Sequence, residues 1–277
     1  MRVIHIPEDL KLDQSQPIQV YEHRSSKSVE RQQITLHQNA FSFLTDGKKE
    51  VMSTHSTIAI DPTQFLVMKA GHCLMTERLS RNKSYRSVML IFSNEVLLKF
   101  IRKQRVPKTV VSSQSVFAFS TDVFVRNFVD SLLHISRLSK PMQSKLLEVK
   151  LEEIMLYLSE MYGPDFLHAL AANSDRATQK FIHTVESNQL SKLTIKELAF
   201  LCNMSVSTFK REFNKQFATS PIKWFQHKRL AYAQHLLQQE HRKPSEVYYE
   251  VGYENLSSFI QAYKLRYKAT PRQHRQG

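Results

Sequence analysis

Four polar or basic residues near position 210 have the spacing of one helical face and the chemistry to contact a polyanion. They stand at i, i+3, i+4 and i+7 and are Ser207, Lys210, Arg211 and Asn214. Lysine and arginine carry positive charge and donate hydrogen bonds, while serine and asparagine both donate and accept. Phe209 and Phe213 fall on the opposite side. The spacing predicts a helix with an apolar inner face and a hydrogen-bonding outer face.

Two predicted helices must position this face. Thr194-Ile195-Lys196-Glu197 is a capping box that opens a short helix. Asn203-Met204-Ser205 supplies a tight turn, and Ser205 is a natural N-cap for the second helix. This pattern is a helix-turn-helix, in which the turn holds the second helix across the first. The polar face of the second helix can then enter a major groove about as wide as the helix itself.

The pattern occurs twice. The matching segments are Ser205-x-x-x-Phe209-x-x-x-Phe213 and Asn255-x-x-x-Phe259-x-x-x-Tyr263, followed by Ser220-Pro221 and Thr270-Pro271. We therefore predict two helix-turn-helix units, over residues 193–217 and 243–268, joined by a long helix. The repeat is a much stronger signal than either half alone.

The charge is concentrated in the same region. The 277-residue chain has a formal net charge of +14, and residues 178–277 hold sixteen Lys and Arg against seven Glu and no Asp, a net +9. A basic segment of this kind indicates a polyanion partner. An adaptor that uses its helix-turn-helix units for protein contacts is the alternative, and it predicts a neutral or acidic face instead.

Several other chemistries are excluded by scarcity. The five glycines stand about two dozen residues apart or more, which rules out phosphate loops, dinucleotide fingerprints and the nucleophile elbow. Two cysteines allow neither a four-cysteine zinc site nor a disulfide framework. We expect no catalysis, no cofactor and no metal. No bilayer-spanning run and no signal-peptide core occur, so a cytoplasmic protein is expected.

The N-terminal part has a different pattern. Short alternating runs over residues 30–110 predict an antiparallel β barrel or sandwich, and residues 120–162 have a helical period. We predict a regulatory or dimerisation domain over residues 1–170 and a DNA-binding domain over 171–277, with the linker at Ala171–Asp175.

One predicted N-terminal helix has an apolar seam that steps by four, three and four. Its residues are Leu147, Leu151, Ile154 and Leu158. A seam of two heptads forms a dimer contact or packs on its own sheet, and both readings stay open. Two interpretations are also open for five apolar residues on the predicted strands, which could line a ligand cavity or form the core. These residues are Phe43, Phe65, Met68, Met75 and Phe92.

The C-terminal hundred residues resemble the AraC/XylS family of bacterial transcription regulators. The motifs that carry the resemblance are Leu198-Ala199, Met204-Ser205, Phe209-x-Arg211-x-Phe213, Ser220-Pro221, Arg229-Leu230-x-x-Ala233-x-x-Leu236-Leu237, Gly252-Tyr253-x-x-x-Ser257-x-Phe259 and Thr270-Pro271. The resemblance implies an all-α domain in which each unit offers one helix to successive major grooves. It also implies a cupin-like N-terminal barrel followed by helices that sense a signal or dimerise.

The resemblance and the helical spacing together assign site residues. The base-reading positions are Ser207, Lys210, Arg211 and Asn214 in the first unit and Leu256, Ser257, Ile260 and Gln261 in the second. Phosphate contacts are assigned to Lys196, Lys215, Lys223, Lys264 and Lys268. Because Leu256 and Ile260 are aliphatic, we expect weaker sequence readout by the second unit. Tyr248 also departs from the family, which usually has alanine there.

The predicted function is sequence-specific DNA binding by a transcription regulator, an activator. The expected partners are double-stranded DNA and RNA polymerase. A homodimer and a small-molecule or protein effector of the N-terminal domain are left open, and no membrane partner is expected.

Overall fold

The structure is a computed structural model that describes residues 2–13, 16–54, 56–106, 114–171 and 177–276. The chain divides into an N-terminal unit, Met1–Ala177, and a C-terminal unit, Thr178–Gly277. Residues 172–175 of the predicted linker lie outside the described residues. No helix in the described part is long and apolar enough to cross a membrane.

Ten strands are described in the N-terminal unit. They are β1 Ile4–Ile6, β2 Ile18–Ser25, β3 Val29–Leu36, β4 Asn39–Asp46, β5 Lys48–Met52, β6 Thr57–Ile60, β7 Gln64–Met68, β8 Gly71–Arg78, β9 Tyr85–Phe92 and β10 Val116–Ser120. They form two five-stranded sheets, in the orders β1-β3-β8-β5-β6 and β10-β7-β4-β9-β2. The fold class is confirmed as a sandwich, since no ladder among the described residues closes a barrel. Strand β1 pairs with β3 in parallel, whereas the other neighbouring strands of this sheet pair antiparallel.

The sheets extend beyond the predicted range of 30–110. Strands β1 and β2 precede it and β10 follows it, while helix α1, Asn94–Lys103, lies inside it. The side chain of Ser93 accepts a hydrogen bond from the amide of Val96 and caps α1. This cap and the buried pair Leu97 and Phe100 at helical spacing are the local signal for α1.

Two apolar layers cover the second sheet, one on each face. Ala40 and Leu44 of β4 pack between the sheets, whereas Phe41 and Phe43 pack against helices on the other side. These helices include α2 Val123–Ile135, α3 Lys140–Tyr162 and α4 Asp165–Ala171. Burial on both faces explains why β4 reads as an almost continuous apolar run.

The predicted dimer seam on α3 belongs to this helical layer. Leu147, Leu151, Ile154 and Leu158 are 4%, 1%, 0% and 0% exposed, and they pack on the unit's own core. The dimerisation assignment of these four residues is therefore corrected, because a buried side chain has no surface left for a partner. The opposite side of α3 instead exposes Met142, Val149 and Leu156.

The C-terminal unit is helical in its described part. Its helices are α5 Ala177–Ser187, α6 Ile195–Leu201, α7 Val206–Phe217, α8 Pro221–Gln238, α9 Pro244–Glu250, α10 Leu256–Tyr267 and α11 Pro271–Gln276. Both predicted helix-turn-helix units are present, as α6–α7 and α9–α10, and α8 joins them.

Candidate nucleic-acid interface

The first helix-turn-helix unit is built by local capping bonds. The amide of Thr194 donates to Glu197 Oε2 at 2.7 Å, and the amide of Glu197 donates to Thr194 Oγ1 at 3.2 Å, which completes the predicted capping box of α6. Ser205 Oγ accepts the amide of Thr208 at 3.1 Å and caps α7. The turn between them closes where the amide of Met204 donates to the carbonyl of Ala199 at 2.9 Å.

Helix α7 presents the predicted polar face to solvent. Phe209 and Phe213 are fully buried, which fixes the rotation of the helix about its axis. The residues on the opposite side are all exposed, and they are Ser207, Lys210, Arg211 and Asn214. Neither Lys210 nor Arg211 forms an ion pair within the described part of the chain. Their charges are thus available to an external anion.

Helix α10 presents a narrower polar face. Asn255 Oδ1 accepts the amide of Ser258 at 2.8 Å and caps α10, as Ser205 caps α7. Ser257 and Gln261 are exposed. Leu256 and Ile260, however, are half-buried and pack against the core of the second unit, so each offers only part of its side chain to a groove.

The two turns differ in length by one residue. The amide of Tyr253 donates to the carbonyl of Tyr248 at 2.9 Å, which matches the bond between Met204 and Ala199. The N-cap follows directly after Met204 in the first unit, whereas exposed Glu254 separates Tyr253 from its N-cap in the second. Tyr248 lies at the position of Ala199 and packs against the second core from its edge.

The five lysines assigned to phosphates are all exposed. One lies on each of α6, α7, α8 and α10, and the fifth is the C-cap of α10. They are Lys196, Lys215, Lys223, Lys264 and Lys268. His227 reports the local excess of positive charge: burial lowers its pKa below the usual value, and the charges of Arg266 and Lys223 lower it further. Lys223 of α8 and Arg266 of α10 therefore both lie close enough to His227 to disfavour its charged form.

A second candidate site is a cavity of about 130 Å³ between the two sheets of the N-terminal unit. Its apolar wall includes Ile34, Met75 and Met89, and its polar groups include His23, Lys49, Glu77 and Ser87. Among the five residues considered for a cavity lining, Met75 is found there. Phe43, Phe65 and Phe92 pack on the other face of the sheet, and Met68 lies in the core between the sheets.

Three polar residues of this cavity, His23, Lys49 and Glu77, form one network with Ser42. Lys49 Nζ donates to Ser42 Oγ at 2.8 Å and lies 3.9 Å from Glu77 Oε1, while His23 Nε2 lies 3.0 Å from Glu77 Oε2. Burial lowers the pKa of Lys49, against the opposing charge of Glu77. Burial alone would raise the pKa of Glu77, but His23 and Lys49 outweigh it and hold the pKa below its usual value.

Both units match known families. Residues 39–170 match the family described as ExsA N-terminal regulatory domain, and residues 198–277 match the family described as helix-turn-helix domain. The chain is 24% identical to the HTH-type transcriptional regulator ExsA of Pseudomonas aeruginosa over 272 residues, which cover 92% of this chain and 96% of that protein. It is 30% identical to the virulence regulon transcriptional activator VirF of Yersinia enterocolitica over 133 residues, or 48% of this chain and 49% of VirF.

Two solved structures align with different shares of this chain. ToxT from Vibrio cholerae aligns over 94% of this chain and 98% of its own, with a TM-score of 0.43 and 10% identity. The C-terminal domain of the response regulator yesN from Fusobacterium nucleatum aligns over 36% of this chain and 99% of its own, with a TM-score of 0.34 and 25% identity. The two family matches and the regulators among its relatives support an AraC/XylS family transcription regulator, a class of DNA-binding proteins that are not enzymes.

Proposed function

We propose that the protein is a transcription activator that binds a bipartite DNA sequence, with α7 in one major groove and α10 in the next. The exposed cationic face of α7 carries this proposal, because Lys210 and Arg211 have the donors that guanine O6 and N7 accept. The same face disfavours the adaptor alternative, which calls for a neutral or acidic surface. VirF is by name an activator, and we extend activation, with RNA polymerase as partner, to this chain.

Affinity and discrimination fall to different residues in this proposal. Base readout is assigned to Ser207, Lys210, Arg211 and Asn214 on α7 and to Ser257 and Gln261 on α10, with Leu256 and Ile260 limited to contacts with thymine methyl groups. The five phosphate lysines supply most of the affinity, which should therefore fall steeply with salt. The narrower polar face of α10 supports weaker readout by the second unit.

Selection of genomic DNA fragments by the purified full-length protein tests the proposal. The selection is run at two salt concentrations with excess random duplex. We expect a motif of two blocks about one helical turn apart. Binding without any motif that disappears at the higher salt would show phosphate coating alone and contradict the proposal.

Two single substitutions should separate base readout from phosphate binding. Arg211→Ala is expected to cost about 1–3 kcal/mol on the selected sequence and to relax the preference at one base pair, since a bidentate contact is lost. Lys268→Ala is the matched control: it should weaken all sequences alike and reduce the salt slope by about one unit. Equal losses for Arg211→Ala on selected and random duplexes would remove Arg211 from base readout.

We also propose that a second copy of the chain binds the outer face of α3. Met142, Val149 and Leu156 are 49%, 62% and 45% exposed and recur every seven residues, which is the repeat of a helix pairing surface. This face replaces the buried seam in the dimer assignment.

Leu156→Glu is expected to weaken self-association about 10- to 100-fold, because burying a leucine contributes about 1.5–3 kcal/mol. Sedimentation equilibrium measures the change. Leu98→Glu on α1 places the same charge on another partly exposed leucine and serves as control. The α3 proposal fails when both variants associate like the parent protein.

We further propose that the cavity between the sheets receives the input signal. Because the charges of Lys49 and Glu77 offset each other and most of the lining is apolar, the cavity suits a small, uncharged effector better than an ion. A protein effector of the N-terminal unit is the alternative. Isothermal titration of small-molecule candidates into the parent protein and into Ser87→Leu, whose larger side chain fills the cavity, distinguishes the two. A small-molecule effector should bind the parent protein and not the variant.

A further inference from the structure

The two helix-turn-helix units have separate cores. In the first unit Phe213 packs on Phe225 of α8, with ring centroids 5.9 Å apart. In the second unit the C-terminal half of α8, with Leu230 and Leu237, packs on Phe259 of α10. The N-terminal half of α8 therefore packs on the first unit and its C-terminal half on the second. A rotation about α8 would move α7 relative to α10 unless other contacts prevent it.

Arg229 lies on α8 at the junction of these two cores. Its Nη2 donates to the carbonyl of Ser191, just ahead of the first helix-turn-helix unit, at 2.7 Å. The other side of the guanidinium covers Gly252 in the turn of the second unit, where an added Cβ would lie 3.4 Å from Nη1. Gly252 has φ +89°, a backbone conformation that favours glycine, and the guanidinium lies at van der Waals distance from the position of that Cβ. One side chain thus contacts both units.

A second contact spans the same junction. Lys192, which follows Ser191, has its Nζ 4.0 Å from the ring centroid of Tyr249 on α9. Arg229 and Gly252 also line a groove of about 310 Å³, together with Leu193, Ile222 and Tyr253. Two contacts, one centred on Arg229 and one between Lys192 and Tyr249, therefore cross the junction.

The guanidinium is kept at some cost to stability. Its Nε is shielded from solvent and has no hydrogen-bond partner in the described part of the chain. A buried donor without a partner is unfavourable, and an apolar residue would avoid this cost. An arginine at such a position is better explained by the geometry it imposes than by the stability it adds.

We propose that Arg229 is a positioning residue that fixes α7 relative to α10 and so sets the spacing between the two DNA blocks that the protein accepts. The inference rests on the proposed bipartite DNA binding. A rigid pair of reading helices fits one spacing only, since each added base pair shifts and rotates the second block along the duplex. When α7 and α10 can rotate relative to each other about α8, the protein can also bind duplexes whose two blocks are one base pair closer together or farther apart.

The test measures affinity for three duplexes that carry both blocks at the selected spacing or with one base pair removed or inserted. For the parent protein we expect a loss of about tenfold or more at the altered spacings, and for Arg229→Ala a loss of about threefold or less. Affinity for a duplex with the first block alone should be unchanged. Lys228→Ala removes a neighbouring charge from the same helix and should keep the parent's preference.

Tyr249→Ala, at a residue that is 67% exposed, removes the second contact and should relax the spacing preference in the same direction. Should Arg229→Ala not fold, Arg229→Lys takes its place, because a single ammonium group cannot bond Ser191 and cover Gly252 together. A folded Arg229 variant with the parent's spacing preference overturns the inference. Absence of any two-block preference in the parent protein contradicts the proposed function instead, so the two failures are distinguishable.

Discussion

Replacing Phe213 with alanine is expected to lower the free energy of unfolding of the C-terminal unit by about 3–5 kcal/mol. Phe213 is fully buried, and its ring centroid lies 4.6 Å from that of Phe217 and 5.7 Å from that of Trp224. The cavity left by the ring removes contacts that hold α7 against α8. A domain of ordinary stability would lose a third or more of its total.

Trp224 is the single tryptophan of the chain, so its fluorescence during urea unfolding reports on this unit. Ile222→Ala is the matched control: its side chain is 70% exposed on the same helix as Trp224, and we expect a change within about 0.5 kcal/mol. A Phe213→Ala protein as stable as the control would mean that the aromatic cluster does not support α7.

Glu77→Gln is expected to destabilise the N-terminal unit by about 3–5 kcal/mol near neutral pH, because it leaves the buried charge of Lys49 without its counter-charge. The double variant with Lys49→Met should recover most of the loss, since both charges are then gone. Far-UV circular dichroism in urea measures these changes. Glu50→Gln on the same strand as Lys49 is the control.

The loss should depend on pH in a defined direction. The pKa of Glu77 is lowered in the folded protein, so its contribution is present above the ordinary carboxyl range and disappears as pH falls through the folded pKa. The pKa of Lys49 is also lowered, so the cost of burying its charge is relieved as pH rises. The difference in the free energy of unfolding between Glu77→Gln and the parent protein should therefore become smaller at both acid and alkaline pH. A gap that stays constant from acid to alkaline pH contradicts this account.

The first helix-turn-helix unit could be predicted from sequence because its determinants are local. The capping residues Thr194 and Ser205, and the spacing of Phe209 and Phe213, all act within one or two helical turns. The four outward residues of α7 follow from the same spacing. The exposure of Leu256 and Ile260 could not be predicted in this way, because it depends on how α10 packs against α8 and α9.

Other features depend on partners far along the chain. The seam at Leu147 and Leu151 has the same spacing whether it meets a second helix or its own sheet, so periodicity cannot decide between them. The contacts of Arg229 with Ser191 and Gly252 join residues that no local pattern relates. The position of Met75 in the cavity wall likewise depends on how two sheets face each other.

The pairing of β2 with β9 has a consequence for how the chain folds. Ile18 faces Phe92 and Ser25 faces Tyr85, so β2 leaves the ribosome long before its partner strand exists. The helices of the C-terminal unit need mainly near neighbours and should form quickly once synthesised, whereas a sheet of distant strands forms slowly. The N-terminal unit, although made first, should thus be the last to complete its core. Aggregation during overproduction is expected to arise from the unpaired edge of β2.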